Sequence, residues 1–155
     1  MKPLARFVAT LGPVGFLPIA PATWGSGVVA LAGWFIPVPP LPALAVLFAL
    51  TVALAVWAAG EAEKTYGHDA KPIIVDELVG QWLALLFVPH RLFAFATAFV
   101  LFRVFDVWKP LGAREVQRLP GGYGVVADDM IAGITACLAF HALGWIAGKT
   151  GCPAF

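Results

Sequence analysis

Charge is scarce in this chain. Lys and Arg supply 10 residues and Asp and Glu 9, so 12% of 155 residues are charged while 61% are apolar. A soluble domain carries about 25% charged residues, and a mean hydropathy of +0.87 points away from an ordinary water-bathed surface. The net charge of +1 leaves no electropositive footprint for nucleic acid. Cysteine is nearly absent: Cys137 and Cys152 form neither a disulfide framework nor a metal-binding spacing, and both read as passive. Length is short too, fitting a single domain over residues 1–155 with no separate soluble module. There is no internal repeat and no sustained heptad, and nothing that sets an oligomeric state.

A secretory leader is imitated rather than present. Lys2, Arg6 and the small residues Ala20-Pro21-Ala22 have the outline of one, but Gly12, Pro13, Gly15 and Pro18 interrupt the apolar stretch between them. It reads as a retained loop or re-entrant segment. Several phosphatase signatures are also missing. No Asp-x-Asp pair suits an aspartyl-phosphate enzyme, no Cys-x₅-Arg loop supplies a thiolate, and no histidine dyad of the vanadium-chloroperoxidase type occurs. Phosphate chemistry on this chain therefore calls for a metal-activated water rather than a covalent nucleophile.

Five hydrophobic segments remain once the breakers are removed: Gly27–Val38, Leu41–Ala59, Ile73–Val88, Leu92–Val107 and Asp129–Ala147. Only the second and fifth approach the ~20 residues that cross a hydrocarbon core of about 30 Å. The others thin the bilayer, sit shallowly or end within protein. The expected fold is all-α: a polytopic helical membrane bundle of four to five hydrophobic segments, some short or re-entrant. If all five cross, Lys2, Arg6, Lys64, Lys71, Arg103, Lys109, Arg114 and Arg118 share one side, and only Arg91 and Lys149 lie on the other. The positive-inside rule places the richer side in the cytoplasm.

The acids obey the same division. All of them fall within Glu61–Glu77 and Asp106–Asp129, on the side rich in Lys and Arg. Carboxylates at the edge of a membrane span are costly and read as functional groups with partners. Clustered acidic oxygens facing cations suit a hard ion such as Mg²⁺ serving a phosphate.

Four stretches carry this chemistry. Gly15–Gly27 places Thr23 and Ser26 before an apolar helix, whose N-terminus suits an anion, or whose first turn they cap. His68-Asp69 precedes Asp76-Glu77, which are expected on the first turn of the third segment as metal ligands, acid–base groups or dipole compensation. A loop histidine such as His68 is more often solvated than catalytic. Arg103, Asp106 and Lys109 project from one helical face, and Pro110 ends that helix. This stripe is either a snorkelling salt bridge or a phosphate clamp with an acid for the metal. Last, Gly121-Gly122-Tyr123-Gly124 leads into Asp128-Asp129, expected to open the final helix, where Gly133 admits a close neighbour.

Together, in this order and with these gaps, the four stretches resemble the phosphatidylglycerophosphatase A family of bacterial membrane phosphatases. The likeness runs from about Gly15 to Gly133. Its strongest parts are Phe102-Arg103, Asp106 and Lys109-Pro110, then Gly121-Gly122, Gly124, Asp128-Asp129 and Ala132-Gly133. Ala22 replaces the family's usual Gly, Val75 its usual Trp, and Leu111-Gly112 its usual Trp-Pro. The resemblance implies Mg²⁺-dependent hydrolysis of phosphatidylglycerophosphate to phosphatidylglycerol and phosphate, at a site facing the cytoplasm from the bacterial inner membrane. On that reading Asp76, Glu77, Asp106, Asp128 and Asp129 hold the metal. Arg103 and Lys109 clamp phosphate, with Thr23, Ser26 and Gly122 as further substrate contacts, and Glu77 or Asp76 takes a proton from water. The substrate is a phospholipid and the surroundings a lipid bilayer. Two other classes stay open. A transporter would place acids near the bilayer midplane, where only His141 occurs, read as a packing or hydrogen-bonded residue. A Mg²⁺-dependent phospholipid-synthesis transferase is closer, but the spaced acidic signature of the CDP-alcohol transferases is absent.

Overall fold

The computed structural model describes residues 2–109 and 112–149; Pro110, expected to end a helix, Leu111 and Cys152 lie outside that range. The described residues form helices α1 (Lys2–Ala9), α2 (Pro21–Phe35), α3 (Leu41–Tyr66), α4 (Asp76–Ala84), α5 (Leu92–Trp108), α6 (Ala113–Val116) and α7 (Tyr123–Lys149), with a 3₁₀ turn at Val14–Phe16. There is no strand among them. The all-α expectation holds.

Several boundaries differ from the hydropathy reading. Residues 2–9, expected as loop or re-entrant chain, form α1, because every interior breaker comes after them; Ala5 and Ala9 are buried where it packs along α3. α2 starts at Pro21 rather than Gly27, since a proline at the first helical position costs no hydrogen bond. Thr23 and Ser26 therefore lie inside the helix, and neither caps it: the N-cap is Ala20, in the left-handed region at φ 47°. α3 runs past Ala59 to Tyr66 and stops at Gly67, whose φ is 95°. α7 starts at Tyr123 after Gly121 and Gly122, both at positive φ, so Asp128 and Asp129 sit in its second turn rather than opening it.

The third segment departs most. Of Ile73–Val88 only Asp76–Ala84 is helical, nine residues spanning about 14 Å, too short to cross a hydrocarbon core. The β-branched run Ile73-Ile74-Val75 stays non-helical, with Ile74 N–H donating to the Ala9 carbonyl at 2.9 Å. Beyond Ala84 the chain turns and returns as α5. The tip of this α4–α5 hairpin is pinned: His90 stacks on Trp34 with ring centroids 4.2 Å apart, and the His141 Nε2 lies 3.1 Å from the Leu86 carbonyl oxygen. His141 is thus hydrogen-bonded, as expected. Two helices, α3 and α7, are long and apolar enough to cross a membrane.

α4 is the central element, packed between α7, α2, α5 and α3. Its tightest crossing is with α7. A methyl group at Gly133 would run into the Gly80 carbonyl, and one at Gly80 would lie 2.8 Å from the Asp129 carbonyl oxygen. Ala55, Ala58, Ala59 and Ala62 of α3 close the core against Val79, Val125 and Val126. Small residues let these backbones approach where no hydrophobic drive favours it. The polar end then follows from chain direction: α2, α4 and α7 begin there, while α3 and α5 finish there.

If this crossing holds the bundle together, Gly133→Ala lowers stability by about 1–3 kcal/mol, as overpacking does. Gly148→Ala, where an added methyl meets nothing within 4 Å, leaves it unchanged. Thermal melting in detergent reads both, and equal melting temperatures for the two variants would contradict the packing argument.

Candidate active site

The first turn of α4 supplies Asp76 and Glu77, the last turns of α5 supply Arg103 and Asp106, and the second turn of α7 supplies Asp128 and Asp129. Ser26 reaches in from α2, and Lys109 from the residue that ends α5, at φ 50°. The structure brings these eight side chains to one place.

Arg103 is the hub. Its Nη1 donates to Glu77 Oε2 at 2.5 Å, stands 3.1 Å from Asp106 Oδ2 and reaches Ser26 Oγ at 3.3 Å. The Ser26 hydroxyl lies 2.7 Å from the same Glu77 oxygen and 2.9 Å from the Ala22 carbonyl oxygen. Lys109 pairs with Asp128 and stands 4.0 Å from Asp106. Burial alone would lower the Lys109 pKa, but the hydrogen bond and charge of Asp128, with Asp106 and Asp129 behind it, outweigh burial and raise it. Of the cation–anion–cation stripe expected on one helical face, Arg103 and Asp106 lie on α5, while Lys109 stands just past its end and still reaches Asp106; together they face acids from two other helices.

The carboxylates are not matched by these two cations. Asp76, Glu77, Asp128 and Asp129 are all buried, and Asp76 Oδ1 and Asp129 Oδ2 have no hydrogen-bond partner. Dipole compensation does not account for Asp128 and Asp129, because that effect fades after the first turn. One oxygen each from Glu77, Asp106 and Asp129 lie within 4.8 Å of one another, a group able to hold a metal ion. An all-oxygen set with unsatisfied buried acceptors is the donor chemistry of a hard divalent cation.

A cavity of about 710 Å³ opens beside this group, lined by Asp76, Glu77, Asp106, Lys109 and Asp129 and by the loop from Gly15 to Ala22. The N-terminus of α2 abuts it, as an anion site at that helix would require. Thr23 and Gly122 are placed elsewhere. Thr23 faces a separate groove between α2 and α5. Gly122 is buried against the backbone of Val56 and Gly60, with its N–H donating to Glu63 Oε2 at 3.1 Å. The other Glu63 oxygen lies 2.6 Å from His68 Nδ1, His68 Nε2 lies 2.9 Å from the Gln117 carbonyl oxygen, and Gln117 bonds Asp69. This clasp ties the end of α3 to the loop that leads into α4 and to the one that leads into α7, so His68 has partners rather than solvent alone.

The sequence profile of a family described as PgpA, Phosphatidylglycerophosphatase A, matches residues 7–144. The chain belongs to the phosphatidylglycerophosphatase A family. Among its relatives, an Escherichia coli phosphatidylglycerophosphatase A is 31% identical over 134 residues, covering 84% of this chain and 77% of that protein. A Haemophilus influenzae protein of the same name is 34% identical over 137 residues, covering 83% and 82%. A Bacteroides thetaiotaomicron protein, provisionally named a phosphatidylinositol-3-phosphatase, is 37% identical over 144 residues, covering 86% and 89%. No solved structure matches the chain. As a phosphatidylglycerophosphatase A family member the chain is a phosphoric monoester hydrolase.

Gln81 went unnoticed in the sequence. It is fully buried one turn beyond Glu77, and neither its amide nitrogen nor its oxygen has a partner. A lone amide in an otherwise apolar run, four residues after an acid, was the available signal.

Lys109 is the counter-charge for the buried Asp128. Lys109→Met therefore costs about 1–3 kcal/mol by leaving that carboxylate unpaired, and adding Asp128→Asn restores most of the loss. Thermal melting of the single and double variants checks this. A Lys109→Met protein that melts like wild type would contradict it.

Proposed function

We propose that the chain is a Mg²⁺-dependent membrane phosphatase that removes the terminal phosphate of phosphatidylglycerophosphate, leaving phosphatidylglycerol. The observation that carries this reading is the meeting of Glu77, Asp106 and Asp129 oxygens at a cavity that Lys109 also lines, with Arg103 bonded to two of those acids. Family membership supplies the reaction class, and the names of two relatives supply the substrate.

Glu77, Asp106 and Asp129 are the primary ligands in this reading, with Asp76 and Asp128 at the margin of the same cluster. When bound, Mg²⁺ supplies Lewis-acid activation of water and neutralises charge on the phosphoryl group. The chain's own residues do the rest. Arg103 and Lys109 turn from their carboxylate partners to the non-bridging phosphate oxygens and stabilise the charge that develops there. Asp76, with Oδ1 unpartnered, accepts the proton of the attacking water. A water oxygen bonds to phosphorus as the P–O ester bond breaks, and Asp76 returns the proton it took to the departing oxygen, so that the lipid leaves as its alcohol and the carboxylate is regenerated.

The apolar helices support a place in the bacterial inner membrane, with the polar end toward the cytoplasm by the distribution of basic residues. The Bacteroides relative's name favours a second substrate, a phosphoinositide bearing a phosphate monoester. The chemistry is the same and only the headgroup differs.

Phosphate release by the purified protein is expected from phosphatidylglycerophosphate with Mg²⁺ and lost in EDTA. Full turnover in EDTA, with metal content measured as negligible, would overturn the metal. Faster release from phosphatidylinositol 3-phosphate would select the second substrate. Asp76→Asn, Asp106→Asn and Asp129→Asn should each lower release by about 100-fold or more while the protein stays folded, whereas Glu115→Gln should leave it unchanged. Near-normal release from Asp129→Asn would make the ligand assignment untenable.

Orientation is checked separately. Single cysteines at Lys64 and Arg114, in a protein lacking Cys137 and Cys152, should resist an impermeant thiol reagent in intact cells and react after lysis. Labelling of either from outside would reverse the topology.

A further inference from the structure

Beside the acidic cavity lies the second groove, of about 690 Å³, between α2 and α5. Val100, Val104 and Trp108 form its apolar wall, and they are 55%, 50% and 65% exposed, so the groove opens sideways on the apolar flank of the bundle. Its polar groups are Thr23, Arg103 and Arg114, with no carboxylate among the lining residues. Arg114 makes a long 3.5 Å contact with the Trp108 carbonyl oxygen.

Arg103 joins the two spaces. It lines the groove, while its guanidinium meets Glu77 and Asp106, which line the acidic cavity. An anionic lipid lying along the flank of α5 would therefore have an apolar wall for a chain, a guanidinium and a hydroxyl for a first phosphate, and Arg103 at the passage to the acidic group. Arg suits this task because its planar fork donates two bonds to phosphate oxygens.

We propose that the α2–α5 groove seats the phosphodiester and adjoining acyl chain of the glycerophospholipid substrate, with Arg114 and Thr23 holding the diester. The terminal monoester then passes Arg103 into the acidic cavity. This assignment rests on the lipid phosphatase reading above and adds to it the residues that recognise the part of the substrate that does not react. A phosphate monoester lacking the diester loses the Arg114 contact, so Arg114 is a specificity-determining residue.

The test uses the full chain in phosphatidylcholine vesicles containing phosphatidylglycerophosphate with a photoactivatable acyl chain. Adducts mapped by mass spectrometry should concentrate on Val100, Val104 and Trp108. Excess unlabelled phosphatidylglycerophosphate should displace them and extra phosphatidylcholine should not. Arg114→Ala should raise KM about tenfold with kcat near wild type. Val104→Trp, which fills the groove, should lower kcat/KM, whereas Leu138→Trp, on the exposed apolar face of α7, should not. Adducts spread equally over the α5 groove and the Leu138 face would overturn the proposal, as would an Arg114→Ala protein with unchanged KM. The adduct map needs no turnover. Competed adducts on α5 from a protein that releases no phosphate would uphold the groove and sink the phosphatase reading instead.

Discussion

The contact of α4 with α7 at Gly80 and Gly133 decides where the chemistry can be. With no side chain on either residue, the two helices cross at backbone distance. Glu77 lies one turn before Gly80, and Asp129 one turn before Gly133. The crossing therefore drives two buried carboxylates together, against their mutual repulsion. Packing of small residues must supply that work, because charges out of water gain little from one another without a compensating partner. Arg103 and Lys109 on α5 relieve part of the repulsion, and an oxygen-seeking cation is the economical remedy for the remainder.

The rest of the bundle keeps α4 in position while leaving it short. Nine residues cannot span a bilayer, yet they suffice to carry two acids at one end and a pinned turn at the other. Trp34 stacking on His90 and the bond from His141 to Leu86 fix that turn to α2 and α7. At the polar end, Glu63 bonds His68 and Gly122, joining the loop that leads into α4 to the one that leads into α7. The short helix is thus tethered at both ends, and this is how an element without a span of its own can present a rigid site.

Much of the site was legible in the residues themselves. The spacing of Arg103, Asp106 and Lys109 encodes a shared helical face, and the structure has those contacts. Asp76 and Glu77 were expected on a first turn and are there, and Gly133 was expected to admit a neighbour and does. Element lengths were less legible, because hydropathy records that Ile73–Val88 is apolar but not that its β-branched start resists a helix. The start of α7 was less legible for another reason, because the acids mark a hydropathy boundary and not a helix boundary: Tyr123 to Ala127 extends the helix on their polar side. Gly122 was expected beside substrate, yet it serves a tertiary contact with α3 that no local pattern announces. Glu63, Gln81 and Gln117 stayed silent because their partners are distant in sequence or missing among the described residues.

The charge inventory of the polar end imposes a chronology. Five carboxyl groups, Asp76, Glu77, Asp106, Asp128 and Asp129, surround two cationic side chains, Arg103 and Lys109, both already engaged. A phosphate approaching this arrangement meets a repulsive field in a weakly screening environment. On the reading proposed above, a divalent cation loaded first would offset most of that field and release the guanidinium and ammonium for a new anion. Arrival would thereby be ordered, positive before negative, and departure would run backwards: the product anion leaves first, and the cation stays behind for the next substrate.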